Sequence, residues 1–334
     1  MIEKNKNIAT ISAVGRYLPK KRLTNRDLEK IVDTNDSWIK SRTGIEERRI
    51  VEKGQASSHM AVSAFEDLKK NYNIDPKEID VIIVATITPD MLFPSTACLI
   101  QSRIGADNAF GYDLSGACSG FLFGLDTGTR FIESGKYKKV LVFGVDTMSS
   151  IIDYEDRNTC ILFGDGAGVV LLEESSDSNG IIDSKLKIDG SGSSFLNMKA
   201  GGSLYPASYE TVKNREHYTY QDGRQVYKHA VKGMADISYE IVKRNNLTSE
   251  TIDLFIPHQA NKRIIDSTAN RLGISKEKVL ININKYANTT AATIPIGISE
   301  AAEKNFLKKG DNVILAAFGA GFTWGAIYLK WSMV

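Results

Sequence analysis

The chain has 334 residues, three cysteines and a formal net charge of +2. This length exceeds one typical domain, and three cysteines are too few for a disulfide scaffold, which favours a reducing compartment. A charge so close to zero disfavours a nucleic-acid binder that depends on global charge, so any anionic ligand must meet a local basic cluster.

Membrane insertion and secretion are both disfavoured by the apolar patterning. No stretch approaches the roughly 20 apolar residues that cross a bilayer. Residues 1–6 lack the apolar region of a signal peptide. We therefore expect a cytoplasmic protein with neither a membrane nor a nucleic acid as partner.

Short runs rich in valine and isoleucine alternate along the chain with amphipathic stretches. The predicted strands include 81–86, 140–144, 160–163, 254–257, 279–283 and 313–318. The predicted helices include 57–71, 96–104, 121–133 and 227–245. Continuous apolar strands separated by helices indicate an α/β fold whose sheets are covered on both faces.

An internal repeat divides the chain. Three pairs of segments match, namely 73–81 with 246–254, 103–105 with 271–273, and 163–168 with 318–322. A polar linker lies between the copies, so we predict two α/β halves, 1–175 and 176–334. The polar, tyrosine-rich stretch 199–224 is predicted to be a surface excursion of the second half.

The repeat places three chemically useful residues close together. Cys118 lies 38 residues after Asp80, and Asn288 lies 35 residues after Asp253, so the two occupy nearly equivalent points of the copies. His258 ends the strand that Asp253 opens. Pseudo-twofold packing of the halves is expected to bring Cys118, His258 and Asn288 to one site.

Cys118 is the candidate nucleophile. Small residues surround it at a predicted strand-to-helix turn, where a helix N-terminus lowers a thiol pKa from about 8.5 to roughly 3.5–7.5. The alternative is an inert buried thiol, the commonest state of a free cysteine. For Cys98 and Cys160, core packing is the preferred interpretation.

His258 and Asn288 complete the candidate site. His258 follows a buried strand just before a helix, which is where ligand sites cluster in α/β folds, and imidazole holds or donates a proton near neutral pH. A histidine hydrogen-bonded into the fold is the alternative. Asn288, taken alone, is typical of a turn, and its position in the repeat is what makes it a candidate.

Glycine-rich turns at 164–168 and 319–321 each lie between two apolar runs. A dinucleotide fingerprint requires a strand, the glycines and then a helix, so we reject NAD binding. A backbone N–H of the second turn, placed beside a nucleophile, is suited to stabilising an oxyanion. No cluster of residues has metal-ligand spacing, so we expect no metal.

Two local groups of basic residues offer sites for anions. Trp38 and Arg42, with Arg157, suit a nucleotide, because tryptophan stacks on adenine and arginine grips phosphate. The second group surrounds the His258 segment and suits an acidic partner; it comprises Lys228, Lys232, Lys262, Arg263 and Arg271. Ordinary surface charge is the alternative for both.

Four motifs together resemble the β-ketoacyl-acyl-carrier-protein synthase III family. They are Gly-Ala-Cys-Ser-Gly-Phe at 116–121, Pro-His-Gln-Ala-Asn-Lys-Arg at 257–263, Asn-Thr-Thr at 288–290, and Phe-Gly-Ala-Gly-Phe-Thr-Trp-Gly at 318–325. The similarity runs through the whole chain in order. It implies a thiolase-like fold of two pseudo-symmetric halves in an αβαβα arrangement, assembled as a homodimer.

The resemblance also implies a reaction that initiates type II fatty acid synthesis. Cys118 would take an acyl group from acyl-CoA, and malonyl-acyl-carrier protein would then lose CO2 and condense with it. His258 and Asn288 would stabilise the enolate, and the N–H groups of Cys118 and Ala320 would hold the oxyanion. Both acyl-CoA and the carrier protein are substrates, so no cofactor is implied.

The remaining site residues follow from the same resemblance. Trp38, Arg42, Arg157 and Asn261 would bind CoA and its pantetheine arm, and Phe93 would be the acyl-pocket gate lent by the partner subunit. The carrier protein would bind a further set of residues, namely Gln259, Ala260, Asn261, Lys262, Arg263 and Lys228, with Arg271 as an additional contact.

Departures from related enzymes refine this interpretation. Elongating synthases carry a second histidine where Asn288 stands, and thiolases carry a second cysteine where Ala320 stands, so both positions favour the initiating enzyme. Ala287 replaces the glycine common before this asparagine. Alanine tolerates positive φ poorly, so strain in the Asn288 loop is expected if the backbone there is left-handed.

Three other functions remain as alternatives. A papain-like hydrolase shares the Cys-His-Asn order but needs a Cys-Gly-Ser-Cys-Trp-like context, which the sequence lacks. A starter-unit synthase of secondary metabolism would share the fold. A non-catalytic acyl-binding subunit would not need an intact Cys118, His258 and Asn288.

Overall fold

The computed structural model describes residues 7–333, so the prediction that residues 1–6 form no signal peptide falls outside the described residues. The strands are β1 Ala9–Tyr17, β2 Lys21–Thr24, β3 Glu47–Ile50, β4 Val81–Ala85, β5 Phe110–Leu114, β6 Val140–Asp146, β7 Gly166–Glu174, β8 Ile181–Ile188, β9 Leu196–Met198, β10 Thr219–Gln221, β11 Leu254–Pro257, β12 Asn312–Gly319 and β13 Thr323–Lys330. The α-helices are α1 Asn25–Leu28, α2 Asp36–Thr43, α3 Ser57–Asn71, α4 Thr96–Ile104, α5 Gly120–Glu133, α6 Tyr209–Lys213, α7 Gly223–Arg244, α8 Lys262–Leu272, α9 Ile283–Tyr286 and α10 Thr293–Glu303.

Two sheets, of five and four strands, form the framework and share one topology over four of their strands. The first has the order β1-β7-β6-β4-β5, with β4 parallel to β5 and β6 and with β7 antiparallel to both its neighbours. The second has the order β8-β13-β12-β11, with β11 parallel to β12 and β13 antiparallel to both its neighbours. The repeat seen in the sequence is therefore a repeat of sheet topology.

Helices complete a five-layered arrangement. Helices α3 and α4 pack on the outer face of the first sheet, and α7, with α8 beside it, covers the second. Helices α5 and α10 contact strands of both sheets and lie between them. This confirms the predicted αβαβα fold, and the predicted boundary at 175/176 falls between β7 and β8.

Amphipathic spacing and end signals explain the helices that flank the site. Helix α3 buries Met60, Ala64, Phe65 and Leu68 on one face, as the helical period requires. Ser95 caps α4, since its hydroxyl accepts the N–H of Cys98. Both helices have the bounds predicted from the sequence.

The predicted strands at 160–163 and 279–283 do not form in the structure. In the segment 279–283 only Val279 pairs, through an isolated parallel bridge to Phe255, and Ile283 already begins α9. The segment 160–163 forms turns, with Phe163 in an isolated bridge to Asn288. Both predictions were wrong, because buried apolar residues do not by themselves distinguish a strand from a packed loop.

The prediction that Cys98 belongs to the core was also wrong. Helix α4 buries Ala97, Ile100 and Ile104, one helical face, and this turns Cys98 outward to an exposed position. Cys160 is buried, as predicted. Among the helices of residues 7–333, none combines the length and the apolarity that crossing a bilayer requires.

Candidate active site

A sharp turn between β5 and α5 positions Cys118. A single 3-10 turn, Ala117–Ser119, connects the strand to the helix, and Ala117 has a φ of 47°. A Cβ on Gly116 would lie only 2.8 Å from the Cα of Gly120. The small residues noted in the sequence therefore allow the turn that places the thiol directly before the helix.

His258 lies immediately after β11 and is only 2% exposed. Its backbone N–H donates to the carbonyl of Ala316 at 2.7 Å, which continues the pairing of β11 with β12. Neither ring nitrogen has a hydrogen-bond partner among residues 7–333. Burial lowers the pKa of His258 from 6.5 to about 3, so the imidazole is neutral.

Asn288 is held by its backbone and by its own amide. Its N–H donates to the carbonyl of Leu162 and its carbonyl accepts the N–H of Gly164, each at 3.0 Å. Its Oδ1 accepts the N–H of Thr290 at 2.9 Å. Because a backbone N–H can only donate, the amide oxygen must face Thr290, and the amide NH2 faces the other way.

Ala287 adopts a backbone conformation with positive φ, which is the condition under which strain was expected. Its φ is 57° and its ψ is −153°, and the residue is buried. This region of φ and ψ is almost exclusive to glycine, and such a conformation costs about 1–3 kcal/mol. The strain expected before Asn288 is therefore present.

The three candidate residues meet in one cavity of about 630 Å³. Cys118 comes from the first half, whereas His258 and Asn288 come from the second. The turn after β12 closes on the thiol, since a Cβ on Gly319 would lie 2.7 Å from the backbone nitrogen of Cys118. Only glycine permits this close approach of the turn to Cys118.

The environment of Cys118 differs from the expectation of a lowered pKa. Burial of the thiol and the negative charge of Asp146 raise its pKa to about 12, whereas its own N–H and the side chain of Asn288 act in the lowering direction. Desolvation of the thiolate is the largest influence and raises the pKa more than the two hydrogen bonds lower it. The resting residue is a thiol, and a neutral His258 is a weak base for it.

The residues predicted to bind CoA line the cavity or adjoin it. Trp38, Arg42 and Asn261 line it, and the Arg157 guanidinium lies over the Trp38 ring at 5.1 Å. The side-chain amide of Asn261 donates to the carbonyl of Arg42 at 3.1 Å. The end of α2 is therefore joined to the start of α8.

The residues predicted to bind the carrier protein divide into exposed and buried members. Lys228 and Arg263 are exposed, and the Arg263 guanidinium lies 5.0 Å above the Tyr227 ring. Lys262 is exposed but pairs with Asp266 at 2.7 Å. Ala260 lines the cavity and is partly buried.

Gln259 is the exception, because it is only 1% exposed and cannot meet a protein surface. Its Nε2 donates to the carbonyls of Pro257 and Leu280, each at 3.0 Å. Its Oε1 accepts the N–H groups of Asn282 and Ile283 at 3.0 and 3.1 Å. Three of these bonds occupy backbone groups of 280–283 that a strand at 279–283 would use to pair with a neighbouring strand.

Phe93 lies outside the cavity of its own chain. It is 83% exposed and is absent from the residues that line the cavity. Leu92 and Met91 beside it are also exposed. A role for Phe93 at the acyl pocket therefore requires a second copy of the chain.

Comparison with known proteins identifies the family. One family model, described as 3-oxoacyl-[acyl-carrier-protein] synthase III, matches residues 112–190. A second model, for the C-terminal part of the same synthase, matches residues 242–331. The beta-ketoacyl-[acyl-carrier-protein] synthase III of Chlorobaculum tepidum is 56% identical over 97% of this chain and 99% of its own length. The chain belongs to the β-ketoacyl-acyl-carrier-protein synthase III family. The resemblance read from the motifs is confirmed.

Solved structures agree with this assignment. The 3-oxoacyl-[acyl-carrier-protein] synthase III of Aquifex aeolicus superposes with a TM-score of 0.89 at 44% identity, covering 97% of this chain and all of that one. A priming β-ketosynthase of a polyketide biosynthetic pathway gives 0.91 at 30% identity, covering 99% and 98%. The chain is thus a condensing acyltransferase of the type that initiates fatty acid synthesis, as predicted.

Sequence reasoning missed one buried acidic residue close to Cys118. Asp146 ends β6, is fully buried, and influences Cys118 electrostatically. The available signal was an aspartate directly after the apolar run 140–145. Within residues 7–333 no group of three or more histidine, cysteine, aspartate or glutamate side chains is arranged to hold a metal ion.

Proposed function

We propose that this synthase joins a short acyl group from acyl-CoA to malonyl-acyl-carrier protein, yielding 3-oxoacyl-acyl-carrier protein, CO2 and CoA. One observation carries the proposal: Cys118, His258 and Asn288 line a single cavity, with the Gly319 turn against the thiol. A covalent thioester divides the condensation into two easier steps.

In the first half-reaction Cys118 takes the acyl group. Its sulfur attacks the thioester carbon of acyl-CoA, the carbon–sulfur bond to CoA breaks, and the thiol proton leaves with CoA. The N–H groups of Cys118 and Ala320 are assigned as donors to the oxyanion, because the Gly319 turn lies against the backbone of Cys118. A Cys118 pKa of about 12 implies that proton loss accompanies attack rather than preceding it.

In the second half-reaction malonyl-acyl-carrier protein loses CO2 and leaves an enolate. His258, through a ring N–H, and Asn288, through its amide NH2, donate to the enolate oxygen. The carbanion then attacks the acyl-Cys118 carbon, a carbon–carbon bond forms, and the carbon–sulfur bond to Cys118 breaks. The departing thiolate takes up one proton from solvent, which restores the thiol. The two unpartnered ring nitrogens of a neutral His258 support this donor role.

Binding of CoA is assigned to the Trp38 side of the cavity. The Arg157 guanidinium already lies over the Trp38 ring, so an adenine has an aromatic and cationic surface to stack on. Arg42 is exposed at the same rim and suits a phosphate. Asn261, fixed to the backbone of Arg42, suits the pantetheine arm.

The acyl carrier protein is assigned to the neighbouring surface of α7 and the start of α8. Lys228 and Arg263 are exposed there, and Ala260, Asn261 and Lys262 lie beside Arg263 at the start of α8. Gln259 is omitted from this set because it is buried. An acidic carrier protein is attracted by this surface even though the whole chain carries only +2.

A homodimer and a cytoplasmic location complete the proposal. Strand β5 is an unpaired edge of the first sheet, and exposed apolar residues accompany it, namely Met91, Leu92, Phe93 and Phe110. An apolar sheet edge favours pairing with a second copy, which would bring Phe93 to the partner's acyl pocket. Three free cysteines suit a reducing compartment.

A starter-unit synthase of polyketide synthesis is the second candidate, supported by the similarity to a priming β-ketosynthase. That similarity is 30% identity, against 56% for the relative from Chlorobaculum tepidum. The difference favours fatty acid synthesis. The identity of the carrier protein that accepts the product distinguishes the two pathways.

The test uses acyl-CoA labelled in its acyl group. We expect label on the peptide containing Cys118, and on addition of malonyl-acyl-carrier protein we expect one CO2 per condensed acyl group. Cys118→Ala should take up no label, whereas Cys98→Ala, which removes the exposed cysteine, should be labelled like the natural enzyme.

Three results would contradict the proposal. Label elsewhere than Cys118 excludes the thioester mechanism. Label on Cys118 without malonyl-dependent CO2 indicates an acyltransferase that does not condense. Product formed only with a polyketide carrier protein assigns the enzyme to the second candidate pathway.

A further inference from the structure

The buried carboxylate of Asp146 bridges two loops at the active site. Its Oδ1 accepts from the Thr86 hydroxyl at 3.0 Å, the Ile87 N–H at 2.8 Å and the Thr88 hydroxyl at 2.9 Å. Its Oδ2 accepts the N–H of Ala291 at 3.2 Å and bonds the hydroxyl of Thr290. The second loop is the one that carries Asn288.

One face of β6 is shaped to receive this loop. Gly144 and Asp146 are two residues apart and therefore point to the same side of the strand. A Cβ on Gly144 would lie 2.2 Å from the carbonyl oxygen of Ala291. Glycine thus lets the turn Thr290–Ala292 lie close to the strand, and Asp146 forms hydrogen bonds with this turn.

Thr290 needs such support because its backbone is strained. Its φ is 49°, an unfavourable value for a β-branched residue, which persists only where surrounding bonds hold it. In this conformation its N–H reaches Asn288 Oδ1 at 2.9 Å. The bond determines which end of the Asn288 amide faces the cavity.

We propose that Asp146 is a positioning residue for the condensation step: through Thr290 it fixes the Asn288 amide with its NH2 group directed at Cys118 and the substrate. The inference rests on the proposed function, in which Asn288 donates to the enolate. Without the Thr290 anchor the amide is free to rotate, and an oxygen in place of the NH2 would repel the enolate.

The two half-reactions depend on Asp146 differently. Acylation of Cys118 places its oxyanion on the N–H groups of Cys118 and Ala320, and Asn288 contributes to this step only through its hydrogen bond to the sulfur, which lowers the thiol pKa. The negative charge of Asp146 also raises the pKa of Cys118, so removing it does not disfavour the thiolate. Condensation needs the oriented amide, so loss of Asp146 should slow the second half-reaction selectively.

The first test is Asp146→Asn, which keeps the shape but replaces one acceptor oxygen by a donor. An asparagine NH2 cannot accept the Ala291 N–H. In single-turnover measurements we expect acylation by acyl-CoA to change less than about threefold, and condensation of the preformed acyl-enzyme to fall about tenfold or more. Equal losses in both half-reactions, or an unchanged condensation rate, would overturn the inference.

A double-mutant cycle tests whether Asp146 acts through Asn288. In an Asn288→Ala background the amide is gone, so Asp146→Asn should change the condensation rate less than about twofold further. A general loosening of the fold would instead multiply the two losses. Full multiplicativity contradicts the positioning role.

Two further variants keep the test decisive. Thr290→Val preserves shape and N–H but removes the hydroxyl that bonds Asp146, and it should show the same selective loss if Asp146→Asn does not fold. Asp165→Asn is the matched control, because Asp165 is also fully buried and accepts from Ser149 and Val51. It should not separate the half-reactions; if it does so as strongly as Asp146→Asn, the inference fails.

Measuring the natural enzyme in parallel separates a failure of the proposed function from a failure of the positioning role of Asp146. A natural enzyme that acylates but does not condense overturns the proposed function and this inference with it. A natural enzyme that condenses, beside an Asp146→Asn variant that condenses equally well, overturns the inference alone.

Discussion

At the scale of single residues, the site depends on groups that burial keeps uncharged. His258 is a neutral imidazole because desolvation disfavours its protonated form. Cys118 is a thiol for the same reason. Neutral hydrogen-bond donors and a protonated nucleophile suit a reaction whose charge appears only on thioester oxygens, where fixed donors stabilise it.

The buried imidazole should make stability depend on pH. Its pKa falls from 6.5 to about 3 on folding, so as pH falls through 6.5 the unfolded chain gains a proton that the folded chain does not. The stabilising contribution is therefore complete above pH 6.5 and is lost as pH falls toward 3. Between pH 7 and pH 5 this loss amounts to about 2 kcal/mol.

We expect His258→Gln to remove this dependence. The fall in the free energy of unfolding from pH 7 to pH 5, measured by urea titration, should be about 2 kcal/mol smaller in the variant than in the natural chain. All other titrating groups are shared, so their contributions cancel in the comparison. Parallel stability curves would show that His258 is protonated in the folded state.

At the scale of elements, Gln259 joins the end of β11 to the segment that leads to Asn288. Its side-chain amide donates to the buried carbonyls of Pro257 and Leu280. Its side-chain oxygen accepts the buried N–H groups of Asn282 and Ile283. Asn282 in turn donates to the buried Glu300 of α10 at 2.8 Å. The positions of His258 and Asn288 are thereby linked.

Truncation of this side chain should be costly. Gln259→Ala leaves four buried backbone groups without their side-chain partner, and we expect a loss of about 3 kcal/mol or more in the free energy of unfolding. Gln225→Ala, at a partly exposed position near the start of α7, should change it by less than about 0.5 kcal/mol. Similar urea midpoints for Gln259→Ala and the natural chain would contradict the linking role.

The same elements show what sequence could and could not predict. Helices α3 and α4 were predicted to the residue because each buries one face at helical spacing, and a serine cap also marks the start of α4. The strand at 279–283 was wrongly predicted because its apolar residues are buried, while Gln259 takes the backbone groups a ladder would use. A side chain that competes for backbone hydrogen bonds leaves no periodic signal.

The site was predicted where motifs and repeat coincided. Cys118 and Asn288 occupy nearly equivalent points of the two copies, His258 ends the strand that Asp253 opens, and all three share the cavity as expected. Gln259 was assigned wrongly because it lies in a run with exposed residues, and a sequence run does not show which side chain turns inward. Asp146 acts through Thr290, a contact across 144 positions of sequence that no local pattern contains.

At the scale of the whole molecule, the catalytic cavity lies where the two halves meet. The first half supplies Cys118, and the second supplies His258, Asn288 and the Gly319 turn. Helices α5 and α10, each in contact with both sheets, hold the halves in register. The cavity lining consequently draws residues of α2 from the first half and residues of α7 and α8 from the second.

This division of the cavity lining leads to a prediction about salt. If Lys228 attracts the acidic carrier protein, Lys228→Glu should raise the KM for malonyl-acyl-carrier protein about three- to tenfold at low ionic strength. The difference should shrink toward 1 M salt, where the Debye length is about 3 Å. Acylation of Cys118 by acyl-CoA should be unaffected, because Lys228 does not line the cavity.

Lys138→Glu provides the matched control for this charge reversal. Lys138 is exposed but precedes β6, at the opposite end of the first sheet from the strand ends that carry the site. It makes the same change in net charge, so a long-range effect of total charge would appear equally in both variants. A KM raised only by Lys228→Glu, and only at low salt, therefore locates the docking surface on α7; equal behaviour of the two variants would place it elsewhere.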